Sequence, residues 1–420
     1  MAKVLFTTLG SLGDLHPPMG VALEMQRRGH DVTLAVSEYY RNYVETAGLK
    51  FHPVRPNIEP HNKIILRSVL EPIQGARVLH EDYIFPSMPA YYEDLYPLVK
   101  NSDLFVSSIL GYAAPLLAKT TGTPWVNTLL SPMALWSAYE PPVLPPIRGL
   151  RFLWHKTPRL NRFILNSIFK SFDSIAEPIH LLREQVGLPR INLYTEGQHS
   201  KPLTLCLWSQ LFGSPQPDWP SCAKALGFVF YDPKQNLPLS EELEHFLQEG
   251  EPPLVFTLGS TMVEDALGHI ELFIEAAKRS HHRAVITVGK TFLPKFRPLS
   301  HSKLLFVDYA PYEKLFPRAS LIIHQGGVGT TAQALKSGIP MIITPSVMDQ
   351  IDNAVRVRQM GAGSYLLDTE LSVETLVHQI QTSLKAVSLQ QHCRTLGAKI
   401  TQENGVLRAA EALEGLLSSR

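Results

Sequence analysis

Short apolar runs alternate with amphipathic stretches along most of the chain. Runs rich in valine, leucine and isoleucine predict buried strands, and the stretches with helical periodicity between them predict helices. At the amino terminus, Val4–Thr8 predicts a strand, Pro17–Arg28 a helix and Asp31–Val36 a second strand. The alternation continues with the strands Asp103–Ser108, Trp125–Leu129 and Leu203–Trp208 and the helix Tyr112–Thr121. This pattern is typical of a parallel sheet covered by helices.

The carboxyl-terminal half has the same pattern after a break at Asp232–Gly250, which is rich in Pro, Glu and Gln and predicts a linker. The elements predicted beyond it are the strands Leu254–Leu258, Val285–Val288, Leu304–Val307, Leu321–Ile323 and Met341–Thr344 and the helix Ile270–Lys278. We therefore predict an α/β fold of two Rossmann-like, doubly wound parallel-sheet domains that face each other across a cleft. The predicted boundaries are residues 1–232 for the first domain, 233–250 for the linker, 251–400 for the second domain and 401–420 for a final helix that can pack back on the first domain.

Composition argues against several classes of protein. The net charge is +1 over 420 residues, so nothing favours binding to nucleic acid. The three cysteines lie far apart without metal-site spacing, which favours a reduced, cytoplasmic compartment. The chain begins on a predicted strand rather than a signal peptide, and no apolar run is long enough to span a bilayer. We expect a soluble protein that is a monomer or a weak homodimer.

The stretch around which the chain is organised is Leu321–Gly363, and its glycine-rich turn is HQGGVGTT, residues His324–Thr331. An apolar strand runs into three closely spaced glycines, and two threonines open the next helix. Glycines let backbone amides approach a ligand, and a helix N-terminus offers unpaired N–H groups and a positive dipole. Threonine is also a good N-cap, so a turn without a ligand is the alternative. The glycines exceed what capping requires, and the turn therefore predicts a diphosphate site.

A second candidate site follows the first predicted strand. The turn Gly10–Gly13 lies beyond the carboxyl end of that strand, where ligands bind in open α/β sheets. It has an incomplete GxGxxG dinucleotide fingerprint. Asp14 and His16 follow as two titratable groups. A loop aspartate is more often a cap than a catalyst, so both interpretations stay open at this point.

The segment Ile147–Lys170 is basic and apolar and contains no acidic residue. Pro158 divides it into two predicted helical pieces. Ordinary packing of a helix with a solvated face is the first interpretation, and a lid over an apolar pocket is the second. Peripheral contact with an anionic membrane is the third.

Several motifs occur in one order along nearly the whole chain. They are GSLGDLHP (Gly10–Pro17), RRGHDVT (Arg27–Thr33), PQPDWP (Pro215–Pro220) with GFVFYD (Gly227–Asp232), TLGS (Thr257–Ser260), YAP (Tyr309–Pro311), HQGGVGTT and DQIDNA (Asp349–Ala354). Together they resemble the nucleotide-sugar glycosyltransferases of the two-Rossmann (GT-B) type. More narrowly, the chain resembles the UDP-glycosyltransferase-like family, which includes flavonoid, sterol, macrolide, glycopeptide and rhamnolipid glycosyltransferases.

The resemblance implies an inverting transfer in which an acceptor hydroxyl attacks the sugar and the nucleoside diphosphate leaves on the opposite face. Helix N-termini hold the departing diphosphate in this fold, so neither a metal nor another cofactor is expected beside the nucleotide-sugar co-substrate. The implied donor residues are Ser260, Tyr309, His324, Gln325, Gly327, Gly329, Thr330, Thr331, Gln333, Asp349, Gln350 and Asn353. Tyr309 would stack on the base, while Asp349 and Gln350 would bind sugar hydroxyls. The glycines and threonines, with Ser260, would contact the phosphates.

The resemblance also implies a general base. The family places a histidine or an aspartate directly after the loop glycine, and Asp14 has this position, with His16 two residues later. Members with a histidine base pair it with an aspartate on a later strand, where this chain has Ser108. The resemblance therefore implies Asp14 as the base. An ordinary aspartate is a weak base near neutral pH, which favours a phenol or a well-placed alcohol as acceptor.

Two positions depart from the family pattern. Many bacterial members carry a doubled histidine before the glycines, and here the second of the pair is Gln325. His324 is the first choice for the phosphate contact by resemblance, but adjacent strand residues point to opposite faces, so only one of the two side chains is expected to reach the ligand. Ala332 and Gln333 stand where many plant members have a ribose-binding glutamate. This weakens the case for a uridine nucleotide and leaves a thymidine nucleotide open.

The prediction of an acceptor-binding site depends on aromatic and apolar residues in the amino-terminal loops. The candidates are Gly13, Tyr83, Phe85, Met88, Leu129, Met133 and Trp136. Residues of these types are more often core than pocket. If they line a pocket, the acceptor is apolar.

We therefore expect a metal-independent inverting hexosyltransferase that uses a UDP-sugar such as UDP-glucose, or a dTDP-sugar. The partners are the nucleotide sugar and a hydrophobic acceptor, such as a phenolic or flavonoid, a sterol, a polyketide or a lipid. The alternative is a non-catalytic nucleotide-sugar-binding or auxiliary protein of the same fold. A dinucleotide-dependent oxidoreductase and a sugar-nucleotide epimerase are further rivals. NAD binding would support the former, and conversion of the donor without an acceptor would support the latter.

Overall fold

A computed structural model of the chain describes residues 1–59, 62–144, 157–234, 237–258 and 266–419. The chain divides into two compact units, the first made of Met1–Tyr231 and Asn404–Arg420 and the second of Asp232–Glu403. Each unit is built on its own parallel sheet. The predicted α/β fold with two Rossmann-like domains is confirmed. Among the described residues, no helix has the length and apolar character needed to cross a membrane.

The sheet of the first unit has seven strands in the order β3-β2-β1-β4-β5-β6-β7. They are β1 (Lys3–Thr7), β2 (Asp31–Val36), β3 (Lys50–Pro53), β4 (Leu104–Ser108), β5 (Trp125–Leu129), β6 (Thr204–Cys206) and β7 (Ala223–Ala225). All neighbouring strands pair in parallel. The chain starts at β1 and winds outwards to both edges, so the strand order reverses between β1 and β4. The loops beyond the carboxyl ends of these strands lie where ligands bind in such sheets.

Helices and two apolar clusters cover the faces of this sheet. The helices are α1 (Leu12–Arg27), α2 (Arg41–Thr46), α3 (Lys63–Val69), α4 (Gly75–Val78), α5 (Phe85–Lys100), α6 (Ala114–Thr121), α7 (Pro158–Asp173) and α8 (Glu177–Gln185). Short 3₁₀ turns occur at Glu38–Tyr40 and Pro132–Leu135, and π-helical turns at Leu79–Ile84 and Leu193–Gly197. Leu5 belongs to one cluster and Phe6 to the other, because successive side chains of a strand point to opposite faces.

The last helix, α17 (Gly405–Ser418), belongs to the first unit. Its residues Ala409 and Leu413 are fully buried in the cluster that contains Met19 of α1. Arg28, at the end of α1, forms an ion pair with Glu414 at 2.6 Å. Apolar packing and this partly buried ion pair therefore join the two ends of the chain in one unit.

The second unit has six parallel strands in the order β10-β9-β8-β11-β12-β13. They are β8 (Leu254–Thr257), β9 (Ala284–Thr287), β10 (Leu304–Val307), β11 (Leu321–His324), β12 (Met341–Ile343) and β13 (Gly363–Tyr365). The helices are α9 (Glu241–Gln248), α10 (Ala266–Ser280), α11 (Gly289–Phe296), α12 (Tyr312–Leu315), α13 (Val328–Ser337), α14 (Gln350–Gln359), α15 (Val373–Lys385) and α16 (Val387–Gln402). Single 3₁₀ turns occur at Arg297–Leu299 and Phe316–Arg318. The strand order reverses between β8 and β11, and α13 starts just beyond β11.

The predicted linker, residues 233–250, needs a correction. Its second half is α9, which Ser240 caps by accepting a hydrogen bond from the backbone N–H of Leu243. Leu243 and Phe246 are buried, so this helix packs within the second unit instead of connecting the units as an extended segment. The chain divides between Tyr231 and Asp232.

Helices α1 and α5 are among those that differ from the predictions. The first begins at Leu12 instead of Pro17, because Ser11 caps it, and Pro17 and Pro18 lie inside it. Helix α5 was not predicted, since Pro89 and Pro97 interrupt its sequence pattern. Of the basic segment 147–170, residues 147–156 lie outside the described residues, and α7 begins at Pro158.

Candidate active site

The first candidate position is the turn between β1 and α1. Gly10 has a φ of +122°, and a Cβ at this position would lie 2.3 Å from Oδ2 of Asp14. Only glycine therefore lets the Asp14 carboxylate fold back over the turn. Asp14 is the third residue of α1, and its Oδ2 accepts hydrogen bonds from the backbone N–H of Ser11 at 2.8 Å and from the Ser11 hydroxyl at 3.2 Å. Both of these hydrogen bonds go to Oδ2.

Burial raises the pKa of Asp14 above its ordinary value, and the hydrogen bonds from Ser11 act in the opposite direction. The hydroxyl of Tyr40 donates to the carbonyl oxygen of Gly10 at 3.1 Å, which fixes the same turn from the other side. Asp14 is therefore a carboxylate of fixed orientation and raised basicity at the carboxyl end of a central strand. It serves as a helix cap, and its environment also suits a general base.

His16, the second titratable group of this turn, contacts two tyrosines. Its Nε2 lies 2.5 Å from the hydroxyl oxygen of Tyr43, its ring stacks on the Tyr43 ring, and it meets the ring of Tyr231 edge-on. Ser108, at the end of β4, accepts a hydrogen bond from the backbone N–H of Leu9 at 3.4 Å. Ser108 therefore supports the backbone of the β1–α1 turn.

The predicted acceptor residues divide into two groups. Phe85, Met88 and Leu129 have no accessible surface, and the first two belong to a core cluster. Their part in this structure is packing. The members that retain accessible surface are Gly13, Tyr83, Met133 and Trp136. These can touch a ligand without rearrangement of the core.

The second candidate position is the glycine turn between β11 and α13. Gly326 has a φ of +95°, and a Cβ there would lie 2.7 Å from Cγ2 of Ile343 and 3.1 Å from the carbonyl oxygen of Gln350. Gly327 is the N-cap residue of α13. Because neither glycine carries a side chain, the N–H groups at the start of α13 are open to a ligand.

The loop before α14 is tied to this turn. Asn353 is fully buried, and its Nδ2 donates to the carbonyl oxygen of Gly326 and to Oδ2 of Asp349, both at 2.9 Å. Oε1 of Gln350 accepts from the backbone N–H groups of Ser346 at 3.0 Å and Val347 at 3.2 Å. Asn353 and Gln350 therefore shape the loop, and Asp349 keeps accessible surface beside the glycine turn.

His324 and Gln325 differ in what they contact. His324 is fully buried, its Nδ1 accepts from the backbone N–H of Gly326 at 3.0 Å, and its Nε2 lies 3.4 Å from the sulfur of Met341. Burial lowers the pKa of His324 to about 3, so the ring is neutral at physiological pH. Gln325 is also buried, but within the described residues its Oε1 has no hydrogen-bond partner. A buried polar atom without a partner is a candidate ligand contact.

The remaining predicted donor residues surround the turn. Thr331 is buried and donates to the carbonyl oxygen of Gly327 at 3.0 Å. Gly329, Thr330 and Gln333 retain accessible surface on the first turns of α13. Ser260 lies outside the described residues.

Tyr309 follows β10 and is 38% exposed. Its hydroxyl donates to the Asp232 carboxylate, and Nζ of Lys234 lies 5.0 Å from the centre of its ring. The ring therefore has accessible area for stacking. Across the part of the chain that the structure describes, no three His, Cys, Asp or Glu side chains are grouped so that they could hold a metal ion.

Two family models match the chain. The model described as the glycosyltransferase family 28 N-terminal domain matches residues 4–88, and the model described as the erythromycin biosynthesis protein CIII-like C-terminal domain matches residues 271–408. The two matches contain Asp14 and the glycine turn, respectively.

The chain is similar in sequence to macrolide and sterol glycosyltransferases and similar in structure to solved glycosyltransferases. The chain is 26% identical to an O-mycaminosyltylonolide 6-deoxyallosyltransferase of Streptomyces fradiae, over 100% of this chain and 98% of that protein. It is 25% identical to a sterol 3-beta-glucosyltransferase of Debaryomyces hansenii, over 97% of this chain but only 26% of that protein. Among solved structures, it superposes on the calicheamicin glycosyltransferase CalG4 with a TM-score of 0.75 at 16% identity, covering 100% of this chain and 98% of that one. It superposes on the glycosyltransferase VinC in complex with dTDP with a TM-score of 0.66 at 18% identity, covering 98% of each chain.

The chain belongs to the UDP-glycosyltransferase-like GT-B family. As a member of this family it is a sugar transferase. The low identities to solved structures show the GT-B fold alone.

Sequence reasoning missed one further contact in this glycosyltransferase. The hydroxyl of Tyr312 lies 2.7 Å from Oγ1 of Thr257, at the end of β8. In this glycosyltransferase Tyr312 therefore fixes the start of α12 against the carboxyl end of β8. Its position directly after the YAP motif was the only signal in the sequence.

Proposed function

We propose that the chain is an inverting glycosyltransferase that moves a hexose from a nucleoside diphosphate sugar to a hydroxyl group of a hydrophobic small molecule. The observation that carries the proposal is the turn at Gly326 and Gly327, which leaves backbone N–H groups of α13 free to receive a diphosphate. Asp349, held by Asn353 beside this turn, is the proposed partner of the sugar hydroxyls.

In the proposed reaction the acceptor oxygen attacks C1 of the sugar as its proton passes to Oδ1 of Asp14. The bond between C1 and the phosphate oxygen breaks, and the nucleoside diphosphate leaves with the bonding electrons. Attack opposite the leaving group inverts the configuration at C1. The positive end of the α13 dipole and its free N–H groups stabilise the charge that develops on the diphosphate, so the step needs no metal ion.

The donor that we propose is a dTDP-sugar, with a UDP-sugar as the second candidate. The absence of glutamate at Ala332–Gln333 removes a reason to expect a ribose, whose 2′-hydroxyl thymidine nucleotides lack. VinC was solved with dTDP, and the Streptomyces fradiae relative transfers a deoxyhexose by its name. The proposed acceptor is a macrolide or a sterol, in line with the two relatives' names.

The proposed contact between Gln325 and the donor can be tested with the variant Gln325→Leu. We expect Gln325→Leu to raise the Tm of the free protein, because it removes a buried oxygen whose missing partner costs on the order of 1 kcal/mol. The same change should weaken dTDP binding about tenfold, because the proposed contact of the amide is with the diphosphate. Thermal unfolding with and without dTDP measures both effects.

Thr344→Val is the matched control for this variant. Thr344 follows β12, is 1% exposed, and within the described residues its Oγ1 has no hydrogen-bond partner either. It should also raise the Tm but leave the shift caused by dTDP unchanged. An unchanged dTDP shift in Gln325→Leu would contradict the assignment of Gln325.

A two-step panel tests the proposed function. Thermal shifts are measured with UDP, dTDP, UDP-glucose, dTDP-glucose and NAD, and turnover is then followed by mass spectrometry with erythronolide B, cholesterol and 4-methylumbelliferone as acceptors, with and without EDTA. We expect a shift with a sugar nucleotide, EDTA-insensitive turnover and an inverted anomer by NMR. A shift with NAD and none with any sugar nucleotide would refute the proposal. Donor binding without turnover in a wide acceptor set would favour the non-catalytic alternative.

A further inference from the structure

The PQPDWP motif lies in the loop between β6 and β7, and its acidic residue, Asp218, has a side chain that is only 15% exposed. Oδ1 of Asp218 accepts from the hydroxyl of Ser137 at 2.6 Å, and Oδ2 accepts from the backbone N–H of Ala138 at 2.7 Å. The guanidinium group of Arg162, on α7, donates to the same Oδ2. One carboxylate therefore joins the loop after β5, the loop after β6 and a helix.

Other contacts reinforce the same junction. Nδ2 of Asn161, which is buried in α7, donates to the carbonyl oxygen of Ala138 at 2.7 Å. The Ser137 hydroxyl oxygen accepts in turn from the backbone N–H of Tyr139 at 3.1 Å. Gly213 approaches Pro132 so closely that a Cβ would lie 2.3 Å from the proline ring. The loop around residues 213–218 is thus fixed against the segment 132–139.

Trp136 is the residue whose placement depends on this junction. It has a φ of +49°, an unusual conformation for a non-glycine residue, and directly precedes Ser137. Its ring meets Phe169 of α7 edge-on, with 5.4 Å between ring centres, and retains accessible surface. Such a conformation persists only where surrounding contacts over-determine it, and the Asp218 carboxylate supplies two of them, at the next residues Ser137 and Ala138.

The junction lies on the same edge of the sheet as Asp14. The loops that carry Trp136 and Asp218 follow the carboxyl ends of β5 and β6, and Asp14 follows the carboxyl end of β1 in the same parallel sheet. Carboxyl ends of parallel strands share one edge, which is the ligand-binding edge of an open α/β sheet. Met133 and Trp136, which retain accessible surface, therefore lie at the edge that carries the proposed base.

We propose that Asp218 is a positioning residue for the acceptor. It holds the Trp136 segment against α7 through Ser137, Ala138 and Arg162, and so fixes an aromatic wall for an apolar acceptor at this edge. The inference rests on the proposed function, because the acceptor is the substrate of that reaction.

The test compares Asp218→Asn with Asp103→Asn. Asparagine keeps the shape of the Asp218 side chain but loses its negative charge. Its amide NH2 group also replaces one of the two oxygens that accept hydrogen bonds from Ser137, Ala138 and Arg162. We expect the acceptor KM to rise about tenfold, the donor KM to stay within about twofold, and hydrogen exchange to accelerate in residues 132–140. Asp103 is the control because its carboxylate also accepts a backbone N–H, from Lys3 at 2.7 Å, but at the opposite edge of the sheet. Asp103→Asn should leave both KM values and exchange in residues 132–140 unchanged.

The kinetic measurements use whichever acceptor of the panel the wild type glycosylates fastest. A lower Tm in Asp218→Asn with both KM values unchanged would show a purely structural role and overturn the proposal. An equal rise of donor and acceptor KM would overturn it as well. If the wild type glycosylates no acceptor but exchange still accelerates in residues 132–140, the junction is real and it is the proposed function that fails.

Discussion

Asparagine in place of Asp14 is expected to lower kcat about a thousandfold and to leave dTDP binding unchanged, because a general base contributes a factor of about 10² to 10⁴. The amide oxygen of asparagine can still accept the hydrogen bond from the backbone N–H of Ser11, so the cap of α1 survives. It cannot take the proton of the acceptor hydroxyl. Steady-state kinetics and calorimetric titration with dTDP measure the two quantities. Residual kcat near the wild-type value would exclude Asp14 as the base.

The same variant should be at least as stable as the wild type at neutral pH. Burial raises the pKa of Asp14 in the folded protein, so the folded state favours the protonated form more than the unfolded chain does. Ionised Asp14 therefore destabilises the fold at every pH above its folded pKa, and this effect vanishes below the unfolded value. Unfolding of Asp14→Asn at pH 7 should occur at an equal or higher Tm, so lost activity cannot be assigned to lost structure.

Ser11→Ala tests the environment of the same carboxylate through pH. The hydrogen bonds from Ser11 favour the charged form and hold the pKa of Asp14 down, against the effect of burial. Removal of the Ser11 hydroxyl, which lies 3.2 Å from Oδ2, should raise that pKa further. Because the base acts as a carboxylate, the acidic limb of kcat/KM should move to higher pH than in the wild type. If the acidic limb does not move, the titration that causes it belongs to a group other than Asp14.

The strands were the most predictable part of this fold. Asp31–Val36, Trp125–Leu129 and Leu304–Val307 have the predicted ends, since each apolar run is bounded by residues that favour turns or caps. Helix α5 was not predictable, because prolines inside it lower the local preference for a helix. The helix forms because tertiary packing of Phe85, Met88 and Leu95 outweighs that poor preference.

The candidate site was less predictable, for physical reasons. An aromatic residue in a core and one in an acceptor pocket have the same sequence signature, and only burial separates Phe85 from Trp136. The alternation of β11 implied that His324 and Gln325 point to opposite faces, but the sequence did not say which face is which. Asp14 as a cap and Asp14 as a base need the same residue at the same place, so the resemblance to a family carried information that the turn alone did not.

Alanine in place of Gly326 is expected to abolish nucleotide binding in the second unit. The backbone at Gly326 has a φ of +95°, which strains any other residue, and the added Cβ would lie 2.7 Å from Ile343 and 3.1 Å from the Gln350 backbone. The turn must therefore shift, which breaks the hydrogen bond from Asn353 to the Gly326 carbonyl oxygen and displaces Asp349. We expect dTDP affinity to fall about a hundredfold or more and stability to fall by about 1–3 kcal/mol, measured by calorimetry and thermal unfolding.

Gly268→Ala and Ile343→Ala separate the causes of that loss. Gly268 lies on α10 of the same unit, and a methyl group added there would meet open space, so alanine should leave both dTDP affinity and Tm unchanged or slightly raise the Tm. Ile343→Ala, combined with Gly326→Ala, removes the side-chain clash but not the strained φ. If the backbone conformation is what opens α13 to the diphosphate, the double variant should still fail to bind dTDP. If the double variant binds dTDP again, glycine is required at position 326 because of the close packing against Ile343 of β12, not because of its φ.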